Sequence, residues 1–354
     1  LARSRALTIC LSLIVLIVSL APVARASDDP VYLTEDGLSP SDLHRIMGEA
    51  KATALDRSRR AQAAVAARPE VDQTNYDVKW YDITIRVNDT TEILYGAVAF
   101  VAEAAIDGVS QIDVDFCAEM TVDSIKAPSG SLGYSRTGDI VTITLDHVYD
   151  TGEQFDFDFH YSGHPVEGGF QAFAFDLYDG APSISSLSEP YFARTWWPCK
   201  DRMDDKPDSI GVHIEVASDL YCASNGTLDS IITQPGGDSR TFHYTCRYPI
   251  ATYLFSVAIA PFVVWEQEYL YNDGQNSMPI VHHVYANRYS QSLSTWGQTP
   301  DMIATLVESY GEYPFLAEKY GHANFNWGGA MEHQTVTSMN GTSSFGFTSW
   351  VIVH

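Results

Sequence analysis

The chain has 354 residues, 45% hydrophobic and only 19% charged, and its 21 Lys and Arg against 45 Asp and Glu leave a formal net charge of −24. With 20 Tyr, 16 Phe and 7 Trp it carries too many aromatic side chains for a disordered acidic polypeptide, and its length accommodates about two domains. An acidic excess of this size repels phosphate backbones and anionic membrane surfaces, so nucleic acid is not expected as a partner.

Arg3 and Arg5 precede an uncharged stretch from Ala6 to Ala24, and Ala24-Arg25-Ala26 places small residues at alternate positions. The pattern reads as a secretory signal over residues 1–26, with cleavage after Ala26 and export to a periplasmic or extracellular space. A stretch of that length can also just span a bilayer, but Pro22 and the small-residue site favour cleavage, so membrane attachment is expected only if the signal stays uncleaved. Cys10 leaves with the signal, and Cys117, Cys199, Cys222 and Cys246 remain in a disulfide-permissive setting. Cys222 and Cys246 each lie in a strand-like segment, with Asn225-Gly226 and Pro235-Gly236-Gly237 between them to turn the chain back. That pair is the favoured disulfide, and four free buried thiols are the alternative. Asn-x-Ser/Thr sites occur at Asn88, Asn225 and Asn340.

Residues 27–72 read as a polar leader followed by an Ala- and Arg-rich connector helix, roughly Ser41 to Ala67, ended by Pro69. From Tyr76 the hydrophobic period becomes two. Val78, Trp80, Ile83, Ile85 and Val87 belong to one strand, Ile93 to Val101 to the next, and Ile112 to Phe116 to another. Phe155-Asp-Phe-Asp-Phe159 puts three Phe on one face and two Asp on the other. Further strand signals in Ile210–Val216, Arg240–Tyr248 and Tyr253–Ala260 complete an all-β domain of sandwich type over residues 73–265. Beyond Trp265, one or two strands around Ile280 to Tyr285 lead to Thr299-Pro300-Asp301, a helix start followed by Met302, Ile303, Leu306, Val307 and Tyr310 at helical spacing. The fold class is mainly β, with residues 266–354 opening a second domain.

Three segments carry candidate chemistry. Glu189-Pro-Tyr-Phe-Ala-Arg194-Thr-Trp-Trp-Pro198-Cys199-Lys-Asp201 combines a carboxylate with two adjacent Trp, which read as packing at a domain junction. Trp327-Gly328-Gly329-Ala330-Met331-Glu332-His333 sets a carboxylate just after small residues that let another backbone approach closely. Val351-Ile-Val-His354 delivers a histidine after an apolar run. Taken singly, each is ordinary.

In order and spacing, these segments resemble the aminopeptidase N family of zinc metallopeptidases, which also includes leukotriene hydrolase. The likeness covers roughly residues 76–354. In that family an all-β amino-terminal domain carries a stretch like Ala193-Arg194-x-x-x-Pro198-Cys199-x-Asp201 and ends in a strand like Tyr248-Pro-Ile-Ala-Thr-Tyr-Leu-Phe255. A thermolysin-like α+β catalytic domain follows, entered through a segment like Tyr313-Pro-Phe-Leu-Ala-Glu-Lys-Tyr-Gly321, with a Gly-x-Met-Glu motif matched by Gly329-Ala330-Met331-Glu332 and an apolar run opening into His-Glu-x-x-His. The resemblance implies a zinc aminopeptidase acting on peptides with a free amino terminus. Glu332 and Glu189 would hold the protonated amine, the backbone of Gly329 and Ala330 would line the substrate strand, and His354 would be the first zinc ligand. A protonated amine offers three donors and a charge, which suits a carboxylate pair. A catalytic zinc needs three protein ligands and an open position for water.

There are two departures. The family's usual residue after the motif Glu is Asn, and this chain has His333. The general-base Glu, the second His, the third ligand and a transition-state Tyr would all fall after His354, so these 354 residues are expected to lack peptidase activity and a tight zinc site. His282 and His283, as strand neighbours, point to opposite faces and do not share a metal; His160, His164, His213, His243 and His322 read as scattered. The competing reading is a non-catalytic secreted β-rich binding protein that retains the scaffold.

Overall fold

The computed structural model describes residues 73–353; the signal over 1–26, the connector helix within 27–72 and His354 lie outside the described residues. Ten strands come first: β1 (Tyr76–Asn88), β2 (Ile93–Ala104), β3 (Val109–Asp115), β4 (Thr121–Ala127), β5 (Gly130–Ser131), β6 (Tyr134–Thr137), β7 (Ile140–Tyr149), β8 (Gln154–Gly163), β9 (Ala172–Tyr178) and β10 (Ala181–Leu187). After a 3-10 turn at Ala193–Thr195 come β11 (Ser209–Ala217), β12 (Tyr221–Ser224), β13 (Thr227–Thr233), β14 (Ser239–Cys246) and β15 (Val257–Ala260). The remaining elements are β16 (Val263–Tyr271), β17 (Asn276–Val284), α1 (Tyr289–Thr295), α2 (Thr299–Tyr310), β18 (Tyr320–Phe325), β19 (Ala330–Met331), β20 (Thr337–Asn340) and α3 (Ser349–Val353).

Strands β1 to β15 build three sheets: eight strands in the order β13-β14-β11-β1-β2-β8-β4-β5, three in the order β3-β7-β6, and four in the order β12-β15-β10-β9. The period-two segments behave as alternation requires. Phe155, Phe157 and Phe159 of β8 are buried while Asp156 and Asp158 face solvent, and Phe157 stacks on Phe100 of β2 at 4.6 Å. Trp196 and Trp197 are the packing residues expected: both are fully buried, Trp196 stacks on Phe255 at 5.1 Å, and Trp197 meets Tyr81 edge-on at 5.2 Å.

The favoured disulfide does not form. All four described cysteines are free and buried. The turn at Pro235-Gly236-Gly237 folds β14 onto β13, whereas β12, which carries Cys222, pairs with β15 in another sheet. Hairpin reasoning therefore paired Cys246 with the wrong strand. Of the three sequons, Asn225 and Asn340 are buried and bonded to backbone, and Asn88 at the end of β1 is only half-buried.

Strand pairing changes sheet at Pro261 and Phe262, a few residues before the boundary placed at 265. The fourth sheet runs β16-β17-β18-β20-β19: β17, β18 and β20 are parallel, and β16 and β19 are antiparallel edges. Helix α2 starts where Thr299-Pro300 predicts and stops at Gly311, whose φ of 87° no β-branched residue tolerates. Its Ile303 and Val307 pack on Tyr269, Met278 and Ile280 of the sheet.

Candidate active site

The first half of the site hangs on the segment after β10. There Ser188 leads into Glu189, joined to Pro190 by a cis peptide bond. Trp196 Nε1 donates to Ser188 Oγ at 2.9 Å, and the Phe192 N–H donates to the Ser188 carbonyl at 2.9 Å. The Arg194 to Asp201 motif is a brace behind this loop. Arg194, nearly buried, donates from Nη1 to the Tyr191 carbonyl at 2.6 Å and lies 3.3 Å from Asp201 Oδ2. The Asp201 N–H donates to Asp115 Oδ2, and Thr252 Oγ1 donates to Asp201 Oδ1. Buried charges persist only when paired in this way. Gly168 and Gly169 lie flat against the Phe192 ring, where a Cβ at either would come within 2.6 Å of it.

Thr252 belongs to the turn that carries Tyr253. The segment 248–255, read as a strand from its resemblance, is instead a 3-10 turn at Thr252–Leu254, and the strand begins only at Val257. The second half of the site is the β19–β20 hairpin. Ala330 and Met331 pair with Met339 and Ser338, and the Asn340 N–H donates to the Gly329 carbonyl at 3.0 Å. Because β19 ends the sheet, its other edge has no strand partner among the described residues. Gly329 is required here, since a Cβ would lie 2.1 Å from the Trp327 ring.

Glu189 and Glu332 therefore come from different domains, and the structure brings them together. Burial raises the Glu189 pKa above the usual carboxylate range, and the negative charge of Glu332 raises it further. The Tyr253 hydroxyl is pushed up by burial and then by both carboxylates, so all three groups feel one another. Glu189 is half-buried and Glu332 exposed, and neither has an ion-pair partner among the described residues. Leu187, two residues before Glu189, and Met331, next to Glu332, form an apolar cluster with Phe325, against which Phe170, Tyr253 and Trp327 pack. Tyr253, Phe170 and Trp327 were missed as site residues. Tyr253 and Trp327 each carried a signal, as aromatic residues inside the quoted segments, and Phe170 carried none.

His333 does not accompany Glu332. Its ring is buried, with Nδ1 2.9 Å from Ser338 Oγ, and burial pushes its pKa down to about 3, so it is neutral. His282 and His283 do face opposite ways, but both are buried, because the sheet is covered on both sides. His282 meets His322 on the adjacent strand with Nδ1 atoms 3.1 Å apart, which corrects the reading of His322 as scattered. Val351 and Ile352 of α3, which leads to His354, pack on Val284, Trp296, Met339 and Phe347. Among the described residues no group of three or more His, Cys, Asp or Glu side chains is placed to hold a metal ion. The expected zinc ligand, His354, lies outside them.

Residues 77–254 match the peptidase M1 N-terminal domain. Among solved structures, the chain is similar to the M1 zinc metallopeptidase from Deinococcus radiodurans, with 23% identity and a TM-score of 0.68 over 78% of this chain and 63% of that one. A mutant of that enzyme bound to a Tyr-Ser-Ala substrate gives 23% and 0.67, and a two-domain M1 zinc metallopeptidase mutant bound to L-tryptophan gives 23% and 0.68, with the same coverage. This chain thus spans less than two thirds of the length of those structures, and at such identities the likeness is one of fold. No curated protein matches the chain. With half of its residues matched by the domain model and its sheets arranged as in those enzymes, the chain belongs to the M1 peptidase family.

Proposed function

We propose that this chain is part of an exported zinc aminopeptidase that removes amino-terminal residues from peptides. The observation that supports this most is the convergence of Glu189 and Glu332 from two domains, with no ion-pair partner among the described residues, beside an edge of β19 that no described strand covers. Two carboxylates this close repel each other, and a protonated amine placed between them relieves that repulsion while each oxygen accepts one of its hydrogens. Peptide backbone can add, through strand-type hydrogen bonds, to the edge of β19 that no described strand occupies. Together the two contacts set a fixed distance from the amine to the first peptide bond. The solved relatives with Tyr-Ser-Ala and L-tryptophan bound, both with free amines, are consistent with such a substrate. Zinc is the metal named for those enzymes. The described residues contain no ligand set for it, so their part is to bind and orient. Export rests on residues 1–26, and amino-terminal sequencing of the secreted protein should begin at Ser27.

In the intact protein, Glu332→Ala removes one charge-assisted contact to the amine, worth about 1.5–3 kcal/mol, so kcat/KM for aminoacyl arylamides should fall by roughly 10- to 150-fold. Parental kcat/KM in that variant would remove Glu332 from the amine site.

A further inference from the structure

On the outer face of the eight-stranded sheet, three adjacent strands carry Asp82 (β1), His213 (β11) and His243 (β14). Thr84 pairs with His213 and His213 with His243, so the two imidazoles stand directly opposite each other. They project away from the core formed by Ile83, Val212, Ile214 and Phe242, and all three polar side chains are partly exposed. His213 Nε2 lies 2.8 Å from Asp82 Oδ1, and His213 Nδ1 lies 2.8 Å from His243 Nδ1. An ionised carboxylate only accepts, so His213 Nε2–H donates to Asp82 and His213 Nδ1 keeps its lone pair. Gly211 permits this, because a Cβ there would lie 2.2 Å from Asp82 Oδ1 and would push the carboxylate off the ring.

We propose that His213 and His243 bind one late first-row divalent cation, Cu2+ or Ni2+, through their Nδ1 atoms. Asp82 fixes the His213 tautomer as an outer-shell carboxylate, and water fills the remaining positions. The 2.8 Å spacing of the metal-free hydrogen bond already matches two cis positions of a tetragonal site. With metal–nitrogen bonds of about 2.0 Å, cis positions of a tetragonal site lie about 2.8 Å apart, whereas tetrahedral positions lie about 3.3 Å apart. In the metal-free state the His243 Nδ1–H donates to His213. On binding, that proton moves to His243 Nε2, so two neutral imidazoles face the ion.

The buried His282–His322 pair shows what a closed arrangement looks like. Its rings are stacked, with an interplanar angle of 8°, and the Nε2 atoms are taken by Gln267 and Tyr320. The 213–243 rings are tilted by 53° and open to solvent.

The test titrates this polypeptide with Cu2+, followed by calorimetry and by electron paramagnetic resonance, which counts ligating nitrogens. One saturable equivalent with two imidazole nitrogens is expected for the parent, and loss of that equivalent in His243→Ala. Asp82→Asn should weaken binding roughly 10- to 100-fold, as removal of an outer-shell carboxylate does. Circular dichroism checks that each variant is folded. No saturable binding by the parent, fewer than two nitrogens, or unchanged binding in Asp82→Asn would overturn the proposal even if His243→Ala failed to fold.

Discussion

Asn225→Ala tests how the two halves of the site are tied together. The side chain is fully buried. Its Nδ2 donates to the carbonyls of Leu254, at 3.0 Å, and of Gln334, and its Oδ1 accepts from the Ser256 N–H at 2.7 Å. These partners flank Tyr253 on one side and follow Glu332 on the other. Truncation leaves one backbone donor and two carbonyls without these bonds, and an unsatisfied buried group costs about 1–3 kcal/mol. Allowing less for the carbonyls, the loss comes to about 3–5 kcal/mol, a large part of the 5–15 kcal/mol typical of folded proteins. Urea unfolding followed by tryptophan fluorescence measures it as a midpoint shift. Asn225→Asp sharpens the test. Its second oxygen faces two carbonyls and has nothing to donate while ionised, so its folded pKa must lie above the unfolded value of about 3.9. Between those two values the folded state holds the extra proton, so stability relative to the parent falls as pH rises through the window. A loss below 1 kcal/mol for Asn225→Ala, or a relative gain for Asn225→Asp between pH 4 and 8, would refute this account of the junction.

Acid should destabilise the fold through its buried histidines. Burial pushes His322 and His333 down to about pKa 3, and burial followed by the neighbouring His322 lowers His282. Unfolded histidine titrates near 6.5, so the stability from keeping these rings neutral is complete above about pH 6.5 and is lost on acidification towards pH 3. Each group adds a slope of about 1.4 kcal/mol per pH unit. Equal urea midpoints at pH 7 and pH 5 would contradict this. The thiols give a separate check. Burial raises Cys117 to about 11 and Cys246 to about 12. Iodoacetamide should therefore leave Cys117, Cys199, Cys222 and Cys246 unmodified in the native state and label all four in urea. A cross-linked 222–246 peptide in the mass spectrum would count against the free-thiol arrangement.

What the sequence revealed and what it hid divide along physical lines. Alternation in Phe155–Phe159 and the Pro at the start of α2 are local signals, and both gave the right element. Resemblance identified Glu189 and Glu332 as a pair, although nothing local marks either one. Pairing across sheets was hidden, because Asn225-Gly226 and Pro235-Gly236-Gly237 both read as turns and only the second makes a hairpin between neighbours. The partners of His213 and His322 were hidden for the same reason: cross-strand register is not written in either strand alone.

The junction between the two domains is mostly polar where it matters for the site. Lys319, buried and pushed down by that burial to about pKa 7, donates to the carbonyls of Ser224 and Gly226. The Gly226 N–H donates to Thr335 Oγ1 at 2.8 Å, and Asn225 reaches Gln334. Apolar contact between Leu187, Phe325 and Met331 supplies attraction but allows sliding, since dispersion has little directional preference. Hydrogen bonds to particular carbonyls do not allow it. The same loop, Ser224 to Gly226, is bonded to the chain beside Tyr253, to the turn after Glu332 and to Lys319. A rotation of one domain against the other would have to break several buried bonds before it changed the spacing of the two carboxylates. A pair of carboxylates shared between two domains is geometrically fixed only under that condition, and a buried Asn and Lys meet it where further leucines would not.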